Sequence, residues 1–141
     1  MSCGLCAGSE LAAPPVERGD WAVGVLRGYE VPGWLAMYPR RHVASADALT
    51  DAEAATLGAE LRALTRALRP PGGKVYSVSF GERLPHWHVL VMAVPADLPP
   101  ELRGAALLGA REALRDDRAA YARLSSLDTS SPSDRSDEKS R

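Results

Sequence analysis

Histidine and cysteine are scarce in this chain, and their spacing lets them act together. Two of the three histidines stand one residue apart in Pro85-His86-Trp87-His88, and both cysteines open the chain as Cys3-Gly4-Leu5-Cys6. On an extended strand, alternate residues face the same way. His86 and His88 are therefore expected to project together, with Trp87 and Val89 on the other side. Paired imidazoles on one face can share a phosphate, share a metal, or divide the two tasks. A neutral imidazole can attack phosphorus to give a labile phosphoramidate, provided an acceptor holds its other nitrogen. Two thiolates separated by two residues can both reach one Zn2+ from a tight turn. His42 and His86 are available to complete a Cys2His2 tetrahedron with Cys3 and Cys6. The spacing leaves a zinc pair, a redox pair and two ordinary terminal thiols open. The redox reading ranks lowest, because no strand leads into the pair.

Each candidate also has a plain reading. His42 follows Arg40-Arg41 and reads as part of a solvated basic turn. His88 lies in an apolar run, where a histidine is usually a hydrogen-bonded core residue. The Gly81 turn ahead of it could present backbone N–H groups to phosphate oxygens. Arg83 in that turn is either a phosphate contact or a solvated side chain.

The elements that must position these residues follow from periodicity and punctuation. Residues 1–20, with Pro14-Pro15, read as an irregular arm. Strands are predicted over 21–26 and 33–38, the second stopped by Pro39 and joined to the first by a hairpin connection over 28–32. Thr50-Asp51-Ala52-Glu53 is a capping box. Leu57, Leu61, Leu64 and Leu68 follow it at helical spacing, and Pro70-Pro71-Gly72-Gly73 ends that helix. Residues 75–80 alternate Tyr76, Val78 and Phe80 against Ser77 and Ser79, as a half-buried strand does. Residues 86–94 read as a central strand and 95–100 as a loop. Residues 101–127 read as largely helical, broken near Gly104 or Gly109. The segment 128–141 contains no apolar residue and is expected to be disordered. There is no internal repeat. The pattern predicts an α+β domain, an antiparallel meander sheet covered by a long helix and a C-terminal helix.

Bulk properties narrow the function classes. A chain of 141 residues supports one domain with a real core. With 17 basic and 18 acidic residues it lacks the electrostatic footprint expected for nucleic acid, although a small phosphate ligand remains open. No apolar run approaches a membrane span. The N-terminus shows no basic segment followed by an apolar stretch, so a cytoplasmic setting is expected. There, cysteines serve as thiols or metal ligands rather than as structural disulfides. Asn, Gln and Ile are absent, so no side-chain amide is available to bind a substrate.

Together these motifs make the chain similar to the histidine-triad (HIT) superfamily of nucleotide hydrolases and transferases. That family carries His-φ-His-φ-His-φ-φ, with φ hydrophobic, on its last core strand. Here it reads His86-Trp87-His88-Val89-Leu90-Val91-Met92. A second family block, Pro followed by basic residues and His-Val/Ile, matches Pro39-Arg40-Arg41-His42-Val43. The helix capped at Thr50 sits where the family has its long helix, and Gly81 falls five residues before the first motif histidine. The similarity runs from Cys3 to about Pro95.

The resemblance implies roles. The middle histidine, here His88, is the nucleophile. Zinc-bearing members, including the galactose-1-phosphate uridylyltransferase branch, use an N-terminal Cys-x-x-Cys, the histidine of the basic block and the first motif histidine. Those positions are Cys3, Cys6, His42 and His86, and the zinc would be structural. Gly81, Glu82 and Arg83 form the candidate nucleotide-binding set. Expected substrates are nucleoside phosphoramidates, dinucleoside polyphosphates or nucleotide-linked compounds. Homodimers are common in the superfamily, through the long helix and sheet edge, so a homodimer is among the expected partners. Neither nucleic acid nor membrane is.

The chain departs from the family at one position that matters. The third motif histidine is Leu90, where relatives donate a hydrogen bond to the substrate phosphate and the uridylyltransferase branch uses Gln. Losing one such donor costs about 2–4 kcal/mol of transition-state stabilisation, a slowing of roughly a hundredfold or more. Glu82-Arg83 replaces the family's Gly-Gln lead-in, and the Pro-Arg that often follows the motif is missing. Two functions are therefore carried forward: an enzyme working through a nucleotidyl-His88 intermediate, and a catalytically weakened, zinc-stabilised module that binds a nucleotide or a protein. The expected organisation is a zinc-binding arm over 1–20, a histidine-triad core over 21–110, a C-terminal helix over 111–127 and a tail over 128–141.

Overall fold

A computed structural model describes residues 3–129. Five strands, β1 (Val16–Arg18), β2 (Trp21–Gly24), β3 (Trp34–Pro39), β4 (Lys74–Val78) and β5 (Val89–Val94), make one antiparallel sheet in the order β1-β2-β3-β5-β4. The first three form a meander. The chain then crosses to the far edge through helix α2 (Asp51–Leu68), lays down β4 and returns as β5 between β4 and β3. β5 is therefore hydrogen-bonded on both sides, and its Leu90 pairs with Ala36 of β3 and Val78 of β4.

Strand alternation divides the core in two. Trp21, Val23, Leu35, Met37, Val89 and Val91 pack with Leu64 and Leu68 of α2 and with Ala120, Leu124 and Leu127 of helix α5 (Asp117–Thr129). On the other face, Ala36, Tyr38, Leu90 and Met92 are covered by Leu5 and Leu11 of the arm and by Leu84, Leu98 and Leu107 from later in the chain. This is the expected α+β architecture.

Helix α2 starts where predicted. The Glu53 N–H donates to Thr50 Oγ1 at 3.1 Å, and the Thr50 N–H donates to Glu53 Oε1 at 2.8 Å. Trp21 Nε1–H donates to Thr56 Oγ1 at 2.9 Å, which sews the helix to the sheet. Of the leucine stripe, Leu64 and Leu68 are buried, each contributing about 1.5–3 kcal/mol, whereas Leu57 and Leu61 are only partly covered.

Three expectations need correction. The arm over 1–20 is not irregular. It holds a one-turn helix, α1 (Gly4–Ala7), and the edge strand β1, and its Leu11 bridges Leu26. Arg18 pairs with Trp21 across Gly19-Asp20, and Gly19 takes a φ of 65°, the left-handed conformation a two-residue hairpin loop uses. Three residues are too few to show a period, but Gly-Asp between two pairing residues was a readable turn signal.

The C-terminal segment over 111–127 is not one helix either. Short helices α3 (Ala106–Gly109) and α4 (Arg111–Leu114) precede α5. The break falls at Asp116, whose N–H donates to the Glu30 carbonyl at 2.9 Å and whose Oδ1 accepts the Ala119 N–H at 3.1 Å, capping the new helix. That helix runs to Thr129, and the expected tail beyond it lies outside the described residues.

Finally, the two strands around the histidines are shorter than predicted. β4 stops at Val78, so Phe80 is 69% exposed instead of half-buried. β5 starts only at Val89, so His86 and His88 lie in its lead-in. The Trp87 N–H there donates to the Val43 carbonyl at 2.6 Å, tying the lead-in to the segment after β3 instead of to the β4 ladder.

Candidate functional site

The two histidines have different surroundings. Although the lead-in is outside the ladder, its alternation holds. Trp87 joins Val89 in the helix-covered core, with its ring 6.3 Å from that of Trp21. His86 packs edge-on to Tyr38 of the opposite core, and His88 lines a cavity with Leu84 and Leu90 of that core.

His86 is fully buried. Its Nε2–H donates to the Pro39 carbonyl at 2.7 Å. A carbonyl only accepts, so this bond fixes the tautomer and leaves the Nδ1 lone pair free. Nδ1 lies 3.4 Å from Cys3 Sγ and 3.4 Å from Cys6 Sγ, and His42 Nδ1 lies 3.4 Å from Cys6 Sγ. All four ligand atoms fall within 4.8 Å of one another. Zinc bonds of about 2.3 Å to sulfur and about 2.0 Å to nitrogen put tetrahedral S···N edges at about 3.5 Å. The four side chains therefore fit a zinc ion in ligand type, number and spacing. Burial holds the His86 imidazole below its ordinary pKa, with a smaller contribution from neighbouring His42 and His88, and keeps it in the neutral form a metal needs. Desolvation and the adjoining Cys3 push the Cys6 thiol up to about 11. A redox cysteine needs the opposite shift. The Cys6 thiol ionises at neutral pH only if a cation replaces its proton.

Local structure explains how the four meet. Cys3 caps α1, with the Cys6 N–H donating to Cys3 Sγ at 3.3 Å, so one helical turn brings both sulfurs to one side. Leu5 between them is buried in the core and anchors the turn. His42 is placed by its neighbour. The Arg41 guanidinium grips both oxygens of buried Glu53, at 3.2 and 2.9 Å, and also donates to the Ala48 carbonyl at 2.9 Å. Arg41, and after it the Thr50 N–H, hold the Glu53 carboxyl below its usual range. The expected solvated basic turn is thus a clamp on the first turn of α2. A basic residue before a buried capping-box glutamate was the available signal.

His88 is turned the other way. Its Nδ1–H donates to the His86 carbonyl at 2.9 Å, and its own carbonyl accepts from Ser79 Oγ at 2.7 Å. In the neutral ring the remaining lone pair sits on Nε2. His88 lines a cavity of about 270 Å3 together with Gly81, Glu82, Arg83 and Leu90. The predicted nucleotide-binding set and the predicted nucleophile are therefore assembled around one space. Sequence reading missed its aromatic members, Tyr29 and exposed Phe80, and the arm residue Glu10, which pairs with Arg83 at 3.4 Å. A larger cavity, about 470 Å3, opens at the end of α2, beside Leu107, Leu114 and Arg123. Its lining has no histidine, cysteine, hydroxyl or carboxylate, whereas the smaller one holds His88.

No family model matches the sequence, and no curated protein matches it. Solved structures do share the fold. A hypothetical protein from Leishmania major superposes with a TM-score of 0.57 at 17% identity, over 86% of this chain and 95% of that one. A HIT family hydrolase from Legionella pneumophila Philadelphia 1 gives 0.50 at 19% identity, over 70% and 98%. A Zn-bound histidine triad family protein from Mycobacterium smegmatis gives 0.57 at 20% identity, over 92% and 97%. The chain has the histidine-triad fold, in agreement with the resemblance carried by its motifs.

Proposed function

We propose that this chain is a histidine-triad nucleotide hydrolase or nucleotidyl transferase acting at the α-phosphate of a nucleotide derivative. The observation that carries the reading is the His88 hydrogen bond. With Nδ1–H held by the His86 carbonyl, Nε2 is the nucleophilic nitrogen of a side chain lining the cavity. In the first step the Nε2 lone pair forms a bond to the α-phosphorus as the bond to the leaving group breaks. The leaving group departs with its electron pair and takes a proton from solvent. The held Nδ1–H keeps the charged imidazole oriented while it carries the nucleotidyl group. Water then attacks phosphorus and gives a proton to solvent, and the P–N bond breaks, returning its electron pair to Nε2. Apolar walls with Tyr29 and Phe80 suit a planar base. Zinc, when held by Cys3, Cys6, His42 and His86, supplies a structural cross-link between arm and sheet.

The test is direct trapping. A nucleoside phosphoramidate and a dinucleoside polyphosphate are mixed with the protein, and intact mass is read at millisecond to second delays. A nucleotidyl adduct on wild type, absent in His88→Ala, supports the reading. Turnover unchanged in His88→Ala removes it.

Leu90 supports a second reading, a zinc-stabilised module that binds a nucleotide or a protein without efficient turnover. It is buried between Ala36 and Val78, where it can offer a phosphate no hydrogen bond. Turnover that collapses in His88→Ala would exclude this alternative. On either reading we propose a cytoplasmic protein and a homodimer, the latter checked by light scattering on the purified protein. Among the described residues no helix is long and apolar enough to cross a membrane.

A further inference from the structure

We propose that Arg83, aimed by Glu10 of the metal-binding arm, supplies the cationic phosphate contact that Leu90 cannot. This rests on the nucleotide reading above and names how its site is completed. Among the described residues lining the cavity, Arg83 is the one permanent cation and shares the space with His88. A cavity of about 270 Å3 is small enough for one phosphate-bearing ligand to touch both. Arg83 is half exposed and its guanidinium lies over the Tyr29 ring, 5.5 Å from the centroid. Its tether is the 3.4 Å contact from Nη1 to Glu10 Oε2. Partly exposed single contacts of this kind are weak, whereas a guanidinium binds phosphate through paired, charge-assisted donors. A phosphate can therefore take Arg83 over from Glu10, or share it. Arg111 stacks on the same Tyr29 ring at 5.1 Å, but it does not line the cavity and its Nη1 is engaged by the Leu108 carbonyl at 3.0 Å.

Glu10 is fixed by the turn that carries the cysteines. Its N–H donates to the Gly4 carbonyl at 3.2 Å, and its own carbonyl accepts the Arg27 N–H at 2.9 Å. A Cβ on Gly4 would lie 2.2 Å from Glu10 Cγ, so the glycine inside Cys-x-x-Cys makes room for this side chain. Glu10 is thus a positioning residue whose place depends on the metal turn, and it links metal loading to phosphate binding.

The experiment is calorimetric titration of the zinc-loaded full chain with AMP against adenosine, and with UMP against uridine. The Kd of the nucleoside divided by that of its monophosphate isolates the phosphate contribution in each pair. Arg83→Ala is expected to weaken monophosphate binding about 10- to 100-fold and to weaken nucleoside binding far less, with Arg83→Lys recovering part of the loss. Chelating the zinc should lower the same ratio in wild type, and Glu10→Gln should make the ratio insensitive to chelation. The proposal is overturned by a phosphate contribution that survives Arg83→Ala, or by Arg111→Ala reproducing its effect. Binding of neither nucleotide nor nucleoside would remove the nucleotide reading itself, and the proposal with it.

Discussion

Replacing His86 by alanine separates a metal ligand from a buried core residue. The imidazole has no exposed surface, so truncation leaves a void, which costs about 2 kcal/mol or more. The Pro39 carbonyl loses the Nε2–H that reaches it at 2.7 Å, adding about 1–3 kcal/mol for an unsatisfied buried acceptor. Both losses arise without any metal. Together they lower the melting midpoint of chelated protein by about 10–20 °C, at about 4 °C per kcal/mol for a domain of this size. Zinc adds a separate contribution. At a free concentration a hundredfold above its Kd it stabilises the native state by about 2.7 kcal/mol, a further rise of about 10 °C in wild type. His86→Ala removes one of four ligands, so most of that zinc-induced rise should vanish. The assay is differential scanning calorimetry of wild type and variant, each with zinc and with chelator. Cys6→Ser is the control that leaves no void, because Cys6 is exposed. Its chelated midpoint should stay within about 2 °C of wild type while its zinc response disappears. An equal zinc-induced rise in all three proteins would refute the site, and His86 would then be a hydrogen-bonded core residue and nothing more.

Three other perturbations test neighbouring links. The His86 pKa is lowered in the fold from 6.5, so below about that pH the unfolded chain binds more protons. The metal-free protein should then lose stability as pH falls, by at most about 1.4 kcal/mol per pH unit for one group. A second decline is expected below 4.5, where Glu53, lowered by Arg41, is protonated more readily in the unfolded chain. Urea titrations between pH 8 and 4 measure both, and only the upper step should flatten in His86→Ala. Arg41→Ala releases the clamp that places His42 and should weaken zinc binding about tenfold, read by competition with a chromophoric chelator, while a zinc affinity equal to wild type would dissociate the clamp from the metal. Leu90→His restores a donor beside His88 and should raise turnover about a hundredfold. A steady-state assay showing no gain would mean that Leu90 is not what limits the rate.

What could be read before any coordinates was the chemistry that depends on residue type. Cys3, Cys6, His42 and His86 are scarce ligand types, and a metal site constrains types more tightly than it constrains the path of the chain between them. The cap at Thr50 and the stripe through Leu68 were legible for a similar reason, since hydrogen bonds and periodicity there are local. What was hidden depends on pairing across the chain. β1 exists because residues 16–18 meet β2, and three residues carry no period. The lead-in at His86 left the ladder because the Val43 carbonyl captures the Trp87 N–H, a contact between distant segments. Phe80 fits a half-buried strand by alternation, but β4 ends two residues earlier and leaves it at the mouth of the cavity. Glu10 and Arg83, 73 residues apart, had no sequence signal linking them.

The two histidines are joined as well as divided. His86 faces the thiols through its side chain and faces His88 through its backbone, because its carbonyl is the acceptor that holds the His88 Nδ1–H. Rotating His86 away from the sulfurs would move that carbonyl and with it the His88 ring. Pro39 restrains the same residue from the end of β3. The contacts therefore run along one short path, from the arm cysteines to a buried ring to the adjoining backbone to His88. Glu10 and Arg83 form a second path from the same turn to the same cavity. On the proposed function, a metal that takes no part in bond making would still set how often His88 and Arg83 face the ligand together. The magnitude of that control is the product of two orientational probabilities, so metal removal should depress turnover more steeply than it depresses nucleotide affinity.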